Sequence, residues 1–274
     1  MQPRFSRPSD AAMMCTESMH SMRPFVSAFF GLVFLLFALA HSPRIVSAGH
    51  PPAHNSSPPI VIGFVGGFIS HTNAVHGGVQ LAERLRKEYP AQVHIEVFEN
   101  HHGEQAHQEI LRLLDANHDG KLSPEEKQSA RIIIYGHSWG GSETVALARE
   151  LQSDGIPVLL TIQVDSVSKI GEDDSLIPAN VEQAANFYQL DGYLHGRPEI
   201  RAADPARTKI LGNIRFDYSS NPIQCNGYSW FARAFEKPHI EIECDPNVIN
   251  RVESLIRSNL PAAESSSTST AAAQ

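Results

Sequence analysis

An apolar run, Ile132-Ile133-Ile134-Tyr135, passes without a break into Gly136-His137-Ser138-Trp139-Gly140-Gly141 and then into a helix-forming segment. The β-branched run predicts a buried strand. The glycines flanking the serine predict a turn too sharp for side chains two residues either side of it. A helix is expected from about residue 142 to 152. Strand, tight turn and helix in that order belong to an α/β sheet, so this one stretch constrains the fold before it says anything about chemistry.

The rest of the chain repeats the alternation. Residues 60–65 form a continuously apolar, β-branched run, as a parallel strand buried on both faces does. Residues 74–88 place Val75, Val79, Leu81 and Leu85 at helical spacing, and 93–98 alternate like a strand. Residues 104–114 read as a helix, 157–164 as another strand, 177–189 as a helix and 209–216 as a strand. The expected architecture is therefore α/β: a mostly parallel, three-layer sheet with helices on both faces. Residues 166–208 either cap the site or cover the sheet. Apolar residues make up 42% of the chain and charged residues 19%, which excludes a disordered polymer. The formal charge of −8 leaves no basic surface for phosphates, so nucleic acid is not an expected partner.

The flanks read differently. Residues 25–40 are uncharged and apolar, shorter than the roughly 20 residues of a membrane span, with Arg23 before them and small residues Val46-Ser47-Ala48 after them. Residues 1–48 are therefore expected to be an export signal, with Met19 or Met22 as alternative starts and an uncleaved anchor as the alternative role. Residues 49–59 read as a Pro/Ser/His linker, 60–259 as the folded domain and 260–274 as a low-complexity disordered tail. The expected location is secreted or periplasmic, with membrane contact only through the N-terminal segment. Past residue 48 two cysteines remain, Cys225 and Cys244. In an exported chain they predict one disulfide, with two buried free thiols as the alternative.

Around Ser138 the motif carries chemistry. The turn projects the hydroxyl above the sheet edge, and the following helix aims its first amides at any anion forming there. Over residues 60–256, and most specifically over 132–141, the chain resembles the α/β-hydrolase superfamily in its lipase and esterase branch. The resemblance implies an acyl-transfer enzyme with Ser, acid and His in that chain order. It implies an oxyanion hole from two backbone N–H groups: Trp139, after the nucleophile, and Phe68, in the Gly66-Gly67-Phe68 turn that ends the first strand, with Gly67 as the other possible donor. It does not imply a substrate beyond a small acyl ester, thioester or lipid.

The chain has fourteen histidines, but only His195 and His239 follow Ser138. His239 is favoured because it lies near the chain end, in an expected Pro238-His239 turn before a final amphipathic helix. Two strand-end carboxylates compete for the acid: Asp165, which ends the more apolar strand, and Asp217. Asp165 is preferred, and the expected triad is Ser138, Asp165 and His239.

A second motif is independent of the first. Residues 115–126 match the twelve-residue EF-hand loop at every ligand position. Asp115, Asn117 and Asp119 offer oxygens at positions 1, 3 and 5, and Gly120 permits the bend at 6. Lys121 offers its carbonyl at 7, Ser123 its hydroxyl at 9, and Glu126 both carboxylate oxygens at 12. One structural Ca²⁺ is expected, and a single unpaired loop argues against a sensor. The leading reading is an exported serine hydrolase. The alternatives are a catalytically silent calcium-binding protein on a hydrolase scaffold and an acyltransferase.

Overall fold

The computed structural model describes residues 57–263. The expected export signal, the linker up to residue 56 and the tail from residue 264 lie outside the described residues. No helix among the described residues is long and apolar enough to cross a membrane.

The protein is a three-layer α/β structure, a parallel sheet with helices on both faces. Its six-stranded sheet runs β2-β1-β3-β4-β6-β8. These strands are β1 (Ile60–Val65), β2 (His94–Glu99), β3 (Ile132–His137), β4 (Val158–Val164), β6 (Val181–Tyr188) and β8 (Lys209–Arg215). Two short strands, β5 (Leu176–Ile177) and β7 (Arg201–Ala202), pair separately. Every pairing among the described strands is parallel.

Alternate residues of the central strands feed two cores. Val61, Val65, Ile133, Tyr135, Leu160 and Ile162 face one side. There they meet α1 (Gly77–Glu88) through Val79, Leu81 and Leu85, and α7 (Pro246–Ser258) through Val248, Val252 and Ile256. Ile60, Ile62, Ile132, Ile134 and Val158 face the other side. They meet α2 (Gly103–Leu114) through Ala106, Ile110 and Leu114, and α4 (Trp139–Ser153) through Val145, Leu147, Ala148 and Leu151. A strand covered on both faces must be apolar throughout, which is why β1 and β3 read as unbroken apolar runs. The remaining helices are α3 (Pro124–Gln128), α5 (Trp230–Phe235) and α6 (Lys237–Cys244).

Three local expectations are corrected. Residues 177–189, expected as a helix, contain β6, which pairs with β4 and β8. Its Glu, Gln and Ala favour a helix locally, but Ala184 joins one core while Ala185 and Phe187 join the other. Burial on both faces of the sheet overrides that propensity. Helix α4 begins at Trp139 rather than near Ser142, because Gly140 and Gly141 serve close packing and do not break the helix. His239 lies within α6 rather than in a turn. Pro238 is the second helical residue, where its missing N–H costs nothing.

Candidate active site

Ser138 sits between β3 and α4 with φ 57° and ψ −126°, a backbone conformation that L-residues rarely adopt. The chain can hold it because its neighbours are bare. A side chain at Gly136 would strike the Gly140 carbonyl, and one at Gly140 would strike the Phe64 carbonyl. The Ser138 amide donates to the Val164 carbonyl at 3.0 Å, tying the elbow to the end of β4.

Asp165 follows β4 and is fully buried, with φ 43°. Its Oδ2 lies 2.7 Å from Nδ1 of His239, which is also buried. Three further donors surround the carboxylate. The Gly196 amide donates at 2.7 Å and the Gln189 amide at 3.2 Å, both to Oδ1, and Gln189 Nε2 donates to Oδ2 at 2.7 Å. Both carboxylate oxygens are therefore taken up by hydrogen bonds, which fix the orientation of the side chain. With Nδ1–H facing Asp165, His239 has its Nε2 free to accept a proton.

The competing residues are elsewhere. Asp217 is exposed beyond β8 and accepts from the amide and hydroxyl of Ser220 at 3.1 and 3.0 Å. Those bonds, the amide first, hold its carboxyl below the ordinary range. His195 pairs Nδ1 with the Gly196 carbonyl at 3.0 Å. The neighbouring Gly196 amide, not the His195 ring, reaches Asp165.

Ser138, Trp139, Phe68 and His239 line one cavity of about 470 Å³. The turn after β1 passes directly over the serine, since a side chain at Gly66 would meet Ser138 Cβ. Asn100 Nδ2 donates to the Gly67 carbonyl at 2.5 Å and holds the turn. Phe68 is 92% exposed, yet its ring stands edge-on to Trp139 with centroids 5.8 Å apart. Trp139 is the first residue of α4, so its N–H has no acceptor within the helix. Phe68 and Trp139, the two expected oxyanion donors, both line this cavity.

Sequence reasoning missed a second layer. Glu243 lies one turn after His239 on α6 and is buried. Its two oxygens are 2.9 and 3.0 Å from Nδ1 of His76, and His137 Nδ1 lies 3.6 Å from it. His137 donates from Nε2 to the His239 carbonyl at 3.1 Å, with the two rings 4.5 Å apart. Burial drives the His137 imidazole down to about 4. Burial opposes ionisation of Glu243 too, but the adjacent imidazoles and the His76 hydrogen bond outweigh it and hold the carboxyl at about 2. The signal was available: an acid four residues after His239, on the same helical face. Gln189 carried no signal, because only the pairing of β6 beside β4 brings it to Asp165.

Cys225 and Cys244 are disulfide-bonded, with Cα atoms 5.8 Å apart. The bridge ties the segment before α5 to the end of α6, so it closes a loop that contains His239.

At the EF-hand-like loop, Gly120 takes φ 78° and the carboxylates turn inward. Asp115 accepts from the amides of Asp119 and Gly120 at 3.1 and 2.9 Å, and Asp119 accepts from Lys121 at 2.8 Å. Asn117 Oδ1 accepts from the Asp119 amide at 2.9 Å. Glu126 reaches across to the amides of Ala116 and Ser123 at 3.0 and 2.9 Å, which closes position 12 onto the loop's start. Ser123 and Glu126 also form a reciprocal cap on α3. The donor set is all oxygen, hard and net anionic, which fits Ca²⁺. Among the described residues, the side chains whose ligand atoms crowd within 4.8 Å are instead His94, Glu96 and Glu109, and Glu104, His107 and Glu150.

No family model matches the sequence, and no curated protein matches it. Solved structures do resemble it. ClbQ from the colibactin pathway is 11% identical with a TM-score of 0.37, over 74% of this chain and 98% of that one. The RedJ thioesterase of Streptomyces coelicolor is 10% identical with a TM-score of 0.38, over 80% and 100%. The esterase of Pyrobaculum calidifontis is 13% identical with a TM-score of 0.37, over 73% and 77%.

Proposed function

We propose that the protein is an exported serine hydrolase acting on carboxylic ester, thioester or lipid acyl bonds. The observation that carries this reading is the buried hydrogen bond between Asp165 and His239 in the wall of the cavity that contains Ser138. In the proposed cycle His239 Nε2 removes the Ser138 hydroxyl proton as Oγ attacks the acyl carbonyl. Asp165 keeps the other ring proton on Nδ1 and stabilises the imidazolium. The amides of Phe68 and Trp139 receive the oxyanion. Collapse of the tetrahedral intermediate expels the alcohol or thiol, which takes the proton from His239. Water, deprotonated by the same nitrogen, then releases the acid and restores the serine.

The reading includes one structural Ca²⁺, held by Asp115, Asn117, Asp119, Ser123 and Glu126 side chains and the Lys121 carbonyl. It would brace the connection between α2 and β3 and take no part in the cycle. Export rests on the apolar segment at residues 25–40. A fluorophosphonate probe tests the reading: it should label the protein once, on the peptide that carries Ser138. A protein left unlabelled, or labelled elsewhere, would contradict it.

A further inference from the structure

The turn that carries Phe68 is fastened by polar contacts on both sides of that residue. Little packing holds it: a side chain at Gly67 would stand in open space, and Phe68 is exposed. The fastenings come from two consecutive residues, Glu99 at the end of β2 and Asn100 after it. Glu99 Oε1 accepts from the His71 amide at 3.0 Å and lies 2.7 Å from its Nδ1. Asn100 is buried, and its Nδ2 donates to the Gly67 carbonyl. That carbonyl and the Phe68 amide belong to one peptide plane and point in opposite directions. Fixing the carbonyl therefore fixes where the Phe68 N–H points. Gly67, at φ 52°, would otherwise let the peptide turn.

Asn100 is itself held from behind. Its carbonyl accepts from Lys169 Nζ at 2.6 Å, and the same ammonium pairs with Glu143. Glu143 is a buried residue of α4, four positions after Trp139. Gly103 leaves it room, since a side chain there would overlap the Glu143 carboxylate. One polar path thus runs from the Phe68 peptide through Asn100 and Lys169 to the first turns of the helix that Trp139 begins.

We propose that Asn100, Lys169 and Glu143 are positioning residues that set the Phe68 and Trp139 amides relative to each other, so that both reach one oxyanion. The proposal rests on the serine-hydrolase reading. Two amides that must meet one oxygen at about 3 Å tolerate little relative displacement. Their elements, a glycine turn and a helix end, lie 71 positions apart between Phe68 and Trp139 and share no covalent constraint. The relay supplies that constraint.

Two variants test this on an activated ester. Asn100→Ala removes the donor to the Gly67 carbonyl, and Lys169→Met removes the ammonium while keeping the length of the side chain. Asn100→Ala should lower kcat by about 10- to 100-fold and Lys169→Met by about tenfold, both with KM nearly unchanged, because the oxyanion exists only in the transition state. The inhibition constant of a trifluoromethyl ketone, whose adduct with Ser138 carries an oxyanion, should rise by the same factors. The double variant should lose about as much as Asn100→Ala alone, since the residues act in series. Lys169 is partly exposed, so Lys169→Met keeps the test decisive if Asn100→Ala does not fold. Wild-type values of kcat and of the inhibition constant in folded variants, with the parent still taking the fluorophosphonate probe on Ser138, would overturn this proposal alone. So would a raised KM with kcat intact, or a double variant whose loss is the product of the two single losses. A wild type that neither turns over esters nor takes the probe would overturn the serine-hydrolase reading and this proposal with it.

Discussion

Oδ2 of Asp165 lies 2.7 Å from Nδ1 of His239, although 74 positions separate the two residues in the chain. The approach depends on two features of the fold. Strand β4 sits beside β3, so its end reaches the elbow that holds Ser138. Helix α6 carries His239 back to that end, and β6 on the far side of β4 supplies Gln189 and its amide to fix the carboxylate.

Replacing Asp165 by Asn should therefore cost on the order of 10⁴ in kcat, because an amide at that point favours the wrong imidazole tautomer. Asp217→Asn should cost little, since that side chain only caps its own turn. Steady-state kinetics of the two variants decide the assignment. A reversed order would reject it.

The sheet and the elbow were legible because their signals are local. An apolar run between polar flanks is a strand buried on both faces, and Gly-x-Ser-x-Gly between a strand and a helix leaves the turn little freedom. Asp165 could be preferred over Asp217 because its strand was the more apolar, and an apolar strand lies nearer the middle of a sheet. What the sequence hid was decided by tertiary contact. Residues 181–188 carry helix-forming side chains, and only burial between β4 and β8 makes them a strand. With that strand misread, Gln189 and Gly196 had no visible reason to meet Asp165. The pairing of His76 with Glu243 spans 167 positions and has no local trace.

Acid should destabilise the protein in a defined window. Burial lowers the His137 imidazole from 6.5 to about 4, so between those values the unfolded chain binds the proton and the folded one does not. Stability is complete above pH 6.5 and falls as pH drops through this window. Glu243, lowered from 4.5 to about 2 against its own burial, extends the loss further into acid. His137→Gln should flatten the dependence of Tm on pH between 6.5 and 4. A slope equal to that of the wild type would show that the titration belongs to other groups.

Reduction of the Cys225–Cys244 bridge should destabilise the folded protein by about 3 kcal/mol on a chain-entropy estimate for a loop of 19 residues. Cys225, Tyr228 and Ile240 form a small apolar cluster beside the bridge. Loosening should thus be felt first between α5 and α6, around His239. Hydrogen exchange with and without reductant, together with denaturant melts, checks both statements. Equal stability of the two forms would contradict them.

Calcium should raise Tm and magnesium should raise it less, because Mg²⁺ resists dehydration and prefers a tight octahedron. At a hundredfold excess over Kd the gain is about 2.7 kcal/mol. Glu126→Gln should remove most of it, since one oxygen of the closing carboxylate becomes an amide nitrogen. Titration calorimetry with thermal melts measures this. No heat and no shift at millimolar calcium would leave residues 115–126 a solvated turn.

The central claim is that Ser138 is the nucleophile, and its most direct test is kcat/KM for Ser138→Ala against the wild type on an activated ester, with circular dichroism and melting to establish that both are folded. The alanine fits the backbone no worse than the serine it replaces, so the fold should persist. The account predicts a loss of about 10⁴-fold or more, leaving only what the cavity and the oxyanion donors supply. A folded Ser138→Ala protein that turns the ester over at close to the wild-type rate would contradict it.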